Sequence, residues 1–455
     1  LADAMLASFS LPEDHGGEIP LTGGVFVPVC RAFRERQSSV MDFSRLCGRS
    51  AKRGVLAVVC AVTVLAVTGC GDTPQRSSSP AASPSYQQPA ARGSVISATA
   101  VADLDAKEVV ARLAKTGLDV TQVRYGVRAH RIVYRTVDIK GRPTTASELV
   151  AMPKSDDRDL RVVSWLHGTE VYRGEVASVN DRSPDRATAL LFASTGRAVS
   201  APDYLGLGKG PGTHPYGNPE ATVSASVDAL RAARAFARKD GRTLDRRVLV
   251  SGFSQGGPAT MLVGRALQQG VDPYFRPGAL APISGPFDLS AFEAAAAADK
   301  VARSSLYLAY FATAWNRMYG LYDTADQAFR APYDKTVDTL FDGKHQASQI
   351  AAALPATSKE LFTEEFLRKM RNPTGNLQRK LQVMDTTCDW RPAVPVRLFH
   401  ARGDKDVSFA NSLYCQRQLA SHGADQQLSD VGQFDHSTTV LKALPQVVRE
   451  FDSAR

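Results

Sequence analysis

The residues most able to do chemistry lie in Val248-Leu249-Val250-Ser251-Gly252-Phe253-Ser254-Gln255-Gly256-Gly257, which passes into the helix-forming run Pro258-Ala259-Thr260-Met261-Leu262-Val263. A β-prone run, a Gly-x-Ser-x-Gly turn and a helix together lift a serine hydroxyl to the top of a sheet, beside the positive end of a helix. Glycine is expected at 252 and 256 because a Cβ there would collide with neighbouring backbone. A serine hydroxyl is a poor nucleophile near neutral pH. It needs an imidazole to take its proton and a carboxylate to hold that imidazole in the right tautomer.

Of the eight histidines, only His422 and His436 follow the strand-like run Pro395-Val396-Arg397-Leu398-Phe399-His400. His422 falls in Ser421-His422-Gly423, a helix end where a histidine ordinarily caps or is solvated. His436 lies in Val431-Gly432-Gln433-Phe434-Asp435-His436-Ser437, between the last strand and the last helix, at the sheet edge expected for Ser254. The carboxylate belongs at the end of the strand before, where Gly403-Asp404-Lys405-Asp406 offers both Asp404 and Asp406. The oxyanion formed on attack needs backbone N–H donors. Gln255 supplies one, and the loop His167-Gly168-Thr169 supplies the other at Thr169, with His167 shaping that loop.

These residues need a sheet to position them, and the chain has the pattern for one. An antiparallel hairpin is expected over 129–152, then strands at 161–166, 198–202, 248–253 and 280–285, with helices at 188–194 and 220–238 between them. Alternating strands and helices predict an α/β fold, a mostly parallel sheet flanked by helices. The alternation stops after Gly285 and returns at Pro395, followed by a helix over 410–421, a strand over 427–431 and a last helix over 438–451. Between them lies an Ala-rich, aromatic-rich stretch that reads as an inserted helical cap, or lid. The expected organisation is 101–290 first part of the core, 291–380 cap, and 381–455 second part of the core. Tyr307, Tyr310, Phe311 and Trp315 are spaced on one helical face and are candidates to line an apolar substrate site.

The N-terminal part is organised differently. Residues 1–40 are not periodic, and Met41 followed by Arg45, Arg49, Lys52 and Arg53 suggests the true start of an export signal. Val55–Thr68 is an uncharged apolar run behind that basic front, so 1–69 reads as leader and signal peptide. The run ends in Val67-Thr68-Gly69-Cys70, which resembles the lipobox of bacterial lipoproteins, in which the peptide is cut before the cysteine and the cysteine carries lipid. Residues 70–100, rich in Ser, Pro, Ala and Gln, read as a lipidated cysteine and a disordered tether. The expected location is extracytoplasmic, anchored to the cell membrane through lipid or released to the medium. Of six cysteines only Cys388 and Cys415 lie in the body, and in an exported domain they are expected to form one disulfide. The net charge of +9 is spread without Lys/Arg-rich runs or interleaved aromatics, which argues against nucleic-acid binding. No motif for a metal or a nucleotide cofactor appears, so neither is expected.

The chain also resembles the secretory lipase family of α/β-hydrolases. The resemblance is carried by Leu166-His167-Gly168-Thr169, Pro202-Asp203-Tyr204-Leu205-Gly206-Leu207-Gly208, His214-Pro215-Tyr216, Asp228-Ala229-Leu230-Arg231-Ala232-Ala233, Gly252-Phe253-Ser254-Gln255-Gly256-Gly257 and the Asp404 segment, and it covers roughly 120–450. It implies an α/β-hydrolase fold with a helical lid and hydrolysis of triacylglycerols or other esters. Many α/β-hydrolases carry His-Gly-x-x-Asp-x-x-Val-Pro at the acid. Aligning His400 and Val407 to that pattern selects Asp404, although Ala401 and Ser408 depart from it. The order Ser254, Asp404, His436 is the order of that fold. The expectation is thus a serine hydrolase acting on carboxylic esters through an acyl-enzyme. An aminopeptidase or amidase on the same scaffold, or a catalytically silent surface binding protein, are the alternatives.

Overall fold

The computed structural model describes residues 91–454. The leader and signal peptide expected over 1–69, the lipidation site expected at Cys70 and most of the 70–100 tether lie outside those residues.

One sheet organises the described chain. Its strands are β1 (Val95–Leu104), β2 (Val127–Val137), β3 (Pro143–Pro153), β4 (Asp159–Leu166), β5 (Ala198–Pro202), β6 (Thr243–Phe253), β7 (Arg276–Ile283), β8 (Val396–His400) and β9 (Gln426–Asp430). They lie in the order β1-β2-β3-β5-β4-β6-β7-β8-β9. From β5 through β9 every pairing is parallel, while β1, β2 and β3 join one edge antiparallel. The helices are α1 (Ala106–Ala114), α2 (Pro184–Ser194), α3 (Pro219–Lys239), α4 (Gly256–Gln268), α5 (Leu289–Ala296), α6 (Ser304–Tyr319), α7 (Val337–Leu340), α8 (Ala347–Ala353), α9 (Ser358–Leu361), α10 (Glu364–Arg371), α11 (Gly375–Asp385), α12 (Ala410–Ser421) and α13 (His436–Ser453).

Sequence periodicity explains why the central strands are buried on both faces. Side chains alternate along a strand. In β4, Val162 and Leu166 join one apolar cluster with α3, α4 and α12, while Val163 and Trp165 join another with α1, α2 and α13. In β6, Val248 and Val250 take the first face and Leu249 the second. Near-continuous apolar runs are what a doubly covered parallel sheet requires.

The folded body starts earlier than expected. β1 is paired with β2 from Val95, opposite Tyr134, so residues 95–100 belong to the sheet rather than to a tether that ends at 100. Val95, Ile96, Thr99 and Val101 favour a pleated strand, and an edge strand needs hydrogen bonds from one neighbour only. The helix then starts at Ala106 because Asp105 caps it. Its carboxylate accepts the Glu108 N–H at 2.8 Å, and the Glu108 carboxylate accepts the Asp105 N–H at 2.7 Å.

Between β7 and β8 the described chain adds no strand to the sheet. It forms α5 to α11 around a separate apolar cluster that includes Phe292, Phe311, Phe329, Phe362, Phe366 and Leu381. Among the described residues no helix is long and apolar enough to cross a membrane.

Candidate active site

Ser254 sits between the end of β6 and the start of α4, at φ +55°. A non-glycine residue in that region is strained by about 1–3 kcal/mol and persists only where its surroundings over-determine it. Here the Ser254 N–H donates to the Ile283 carbonyl at the end of β7 (2.9 Å), and the Ser254 carbonyl accepts the Gly257 N–H (2.8 Å). The turn is also tight. A Cβ on Gly256 would lie 1.9 Å from the Leu166 carbonyl oxygen, so only glycine lets α4 start this close to β4.

His436 is the first residue of α13, placed there because Asp435 caps the helix through the Thr438 N–H (2.7 Å). Its Nε2 lies 2.9 Å from Ser254 Oγ and its Nδ1 lies 2.6 Å from Asp404 Oδ2. All three residues are buried. The other oxygen of Asp404 accepts the N–H groups of Asp406 (3.0 Å) and Val407 (2.8 Å). Burial alone would raise the Asp404 carboxyl. Hydrogen bonds from His400, His436 and Val407 outweigh it and hold the group well below the usual carboxylate range.

The two acids that residue type could not separate stand in different places. Asp406 Oδ1 accepts from Arg303 Nε (2.9 Å) and from the Tyr307 hydroxyl (3.1 Å), both on the cap side. His422 caps the end of α12 and pairs with Asp389 at the surface (2.7 Å), away from Ser254.

The loop that carries Thr169 runs beside the serine: a Cβ on Gly168 would lie 3.6 Å from Ser254 Cβ. His167 ties that loop down, with Nδ1 2.7 Å from the Gly168 carbonyl and Nε2 3.2 Å from the Asp203 carbonyl. Among the described residues, neither the Gln255 nor the Thr169 backbone N–H has a protein acceptor. The Thr169 hydroxyl meets the Tyr216 hydroxyl at 3.1 Å. The side-chain amide of Gln255 donates to Nε2 of His214 (2.9 Å), and His214 Nδ1–H donates to the Leu205 carbonyl (2.9 Å). Burial presses the His214 imidazole down to about 3 against the opposing pull of that carbonyl, which keeps the ring neutral.

Of the four cap aromatics expected near the site, Tyr310 and Trp315 meet residues on the side of this loop. Tyr310 stacks on Tyr216 at 4.4 Å between centroids and donates to the Glu170 carbonyl (3.1 Å). Trp315 donates to the Tyr216 carbonyl (3.1 Å), and Phe311 packs on Trp315 at 4.3 Å. Tyr307 reaches the acid loop through Asp406. Each ring is thus engaged with protein groups, mostly as part of the cap's own core.

Cys388, just beyond α11, and Cys415, on α12, form a buried disulfide with Cα atoms 5.2 Å apart. Among the described residues no His/Cys/Asp/Glu group of three or more could hold a metal ion. His214, His400 and Arg303 were not read as site residues from sequence. The only signal for the two histidines was their place in family-like segments, His214-Pro215-Tyr216 and His400 to Val407.

No protein-family model and no curated protein matches the chain. Solved structures do. The rice cell wall degrading esterase LipA of Xanthomonas oryzae is 26% identical with a TM-score of 0.72, over 81% of this chain and 100% of that one. A Legionella pneumophila protein whose assignment as a hydrolase is itself provisional is 26% identical with a TM-score of 0.73, over 79% of this chain and 97% of that one. Candida antarctica lipase A in its closed state shares the fold at 14% identity, with a TM-score of 0.59 over 80% of this chain and 82% of that one. The parallel sheet, the helices on both its faces and this set of neighbours give the chain an α/β-hydrolase fold.

Proposed function

We propose that the protein is a serine hydrolase of carboxylic esters, with lipid or acylglycerol esters as the substrate class. The observation that carries this reading is the unbroken hydrogen-bond chain from Asp404 through His436 to Ser254, at 2.6 and 2.9 Å, at the top of the sheet. Ser254 Oγ attacks the ester carbonyl carbon while its proton passes to His436 Nε2. The negative oxygen that forms is held by the Gln255 and Thr169 N–H groups, whose lack of a protein acceptor among the described residues supports that role. His436 then gives its proton to the leaving alkoxide, the C–O bond breaks, and the acyl group stays on Ser254. Water, deprotonated by His436, releases the acid and restores the serine. Asp404 stays ionised throughout and holds the imidazole.

The lipid preference is supported by the aromatic-rich cap, which meets the acid loop through Tyr307, and by the esterase and lipase neighbours. In this reading the helices between β7 and β8 act as a lid. We further propose that Cys70 is the mature N-terminus and carries lipid, and that the chain is extracytoplasmic, which the Cys388–Cys415 disulfide fits.

The test is covalent labelling with a fluorophosphonate followed by peptide mapping, together with turnover of p-nitrophenyl esters of increasing chain length. Label on Ser254 and loss of both readouts in Ser254→Ala are expected. Turnover of peptide amides in preference to esters would transfer the reading to a peptidase, and a folded chain that neither labels nor turns over would make it a binding protein.

A further inference from the structure

His400, the last residue of β8, is fully buried beside Asp404 and has no part in the scheme above. Its Nδ1 lies 2.7 Å from Ser412 Oγ on α12. Its Nε2 lies 2.9 Å from the Val407 carbonyl oxygen and 3.3 Å from Asp404 Oδ2. A carbonyl and an ionised carboxylate are both acceptors only, so Nε2 must carry a hydrogen, which it donates to the Val407 carbonyl with the Asp404 carboxylate beside it. In the neutral ring the Ser412 hydroxyl donates to Nδ1.

The Asp404 carboxylate is thereby held from both sides. Oδ1 takes the two N–H groups of Asp406 and Val407, and Oδ2 takes the His436 imidazole with His400 Nε2 standing 3.3 Å from it. Val407 is gripped at both ends, its N–H by Asp404 and its C=O by His400. A carboxylate so held cannot rotate, and the direction of Oδ2 sets the direction of the His436 ring.

We propose that His400 is a positioning residue: with Ser412 behind it, it clamps the Asp404 carboxylate and the acid loop so that His436 faces Ser254. It touches no substrate and acts through Asp404. The proposal rests on the triad reading.

The clamp has an electrostatic signature. An imidazole N–H beside Oδ2 lowers the negative potential at that oxygen. Without it the carboxylate favours a neighbouring positive charge more strongly, and the acidic limb of the kcat/KM profile moves to higher pH. The other charged or titratable groups around the clamp are Asp406 with Arg303 and Tyr307 on the cap side, and Arg402, which lies over Phe409 next to the His400 ring. None of them hydrogen-bonds to His400 among the described residues.

The experiment compares the full chain with His400→Leu, which offers no donor, His400→Gln, whose amide N–H can stand in for Nε2–H, and Ser412→Ala, which frees the ring. Readouts are kcat, KM, the pH profile on a p-nitrophenyl ester and the low-field proton resonance of the His436–Asp404 bond. His400→Leu should lower kcat by about 10- to 100-fold, the range known for the hydrogen-bond partners that orient metal-ligating side chains, with KM little changed. It should also raise the acidic limb and shift the proton resonance. His400→Gln should recover most of the loss, and Ser412→Ala should show a smaller change of the same kind. If His400→Leu does not fold, His400→Gln and Ser412→Ala carry the test. Folded variants with the parent kcat, pH profile and resonance overturn the proposal. A parent chain that neither turns over esters nor labels at Ser254 overturns the triad reading instead. The resonance, seen without substrate, still decides the clamp.

Discussion

His214 Nε2 accepts a hydrogen bond from the side chain of Gln255, the residue that follows Ser254. The imidazole must be neutral to accept it, and burial keeps it so, down to about 3. A histidine whose folded pKa lies below its unfolded value of about 6.5 contributes stability that is full above that value. The contribution is lost as pH falls from about 6.5 toward the folded value, by at most about 1.4 kcal/mol per pH unit. Urea midpoints measured from neutral pH to about pH 4 should therefore fall less steeply in His214→Gln than in the parent. Parallel curves would show that His214 is not the buried neutral group described here.

Ser254→Ala should abolish ester turnover with the fold intact. Asp404→Asn should cost about 10⁴ in kcat by favouring the wrong imidazole tautomer, the size known for this change in serine proteases. Asp406→Asn touches an ion pair with the half-exposed Arg303, for which about 0–1 kcal/mol of stability is the usual scale, and turnover should stay near the parent's. An Asp406→Asn loss as large as that of Asp404→Asn would reverse the assignment of the acid.

Trp315 is about fully buried between Phe311 and the Tyr216 loop, and Trp315→Ala should cost about 3–5 kcal/mol of stability. If the cap forms the acyl wall, the same change should weaken turnover of long-chain esters more than of acetate esters, measured below the variant's melting temperature. Equal losses on both would confine these rings to the cap's core.

Cys388→Ser with Cys415→Ser should destabilise the protein by on the order of 3 kcal/mol, given the 27-residue separation. Thiol titration of the unreduced, unfolded chain checks the premise: no free thiol from this pair is expected.

Some of this was legible in the sequence because its causes are local. The turn at Ser254 needs a particular backbone over five residues, and those residues announce it. His436 is legible because it stands between a strand and a helix start that fix where its loop must lie. Asp404 and Asp406 are two residues apart and chemically alike, and what separates them is the guanidinium of Arg303 just before α6 and the phenol of Tyr307 within it, about a hundred positions earlier in the chain. His214 and His400 were missed as site residues for the same reason: their partners Gln255, Ser412 and Asp404 meet them only in the folded chain. β1 was missed because small side chains between Val95 and Leu104 on an edge strand give a weak alternation.

The left-handed backbone at Ser254 means that the fold would be better off with glycine at that position. Glycine adopts that conformation freely, so Ser254→Gly should melt at a higher temperature than the parent while being inert, by a margin on the order of 1 kcal/mol. Selection for stability alone would erode this position first. A library sorted only for heat resistance should therefore collect inactive chains with glycine at 254, and any scheme to toughen the protein has to hold that residue fixed.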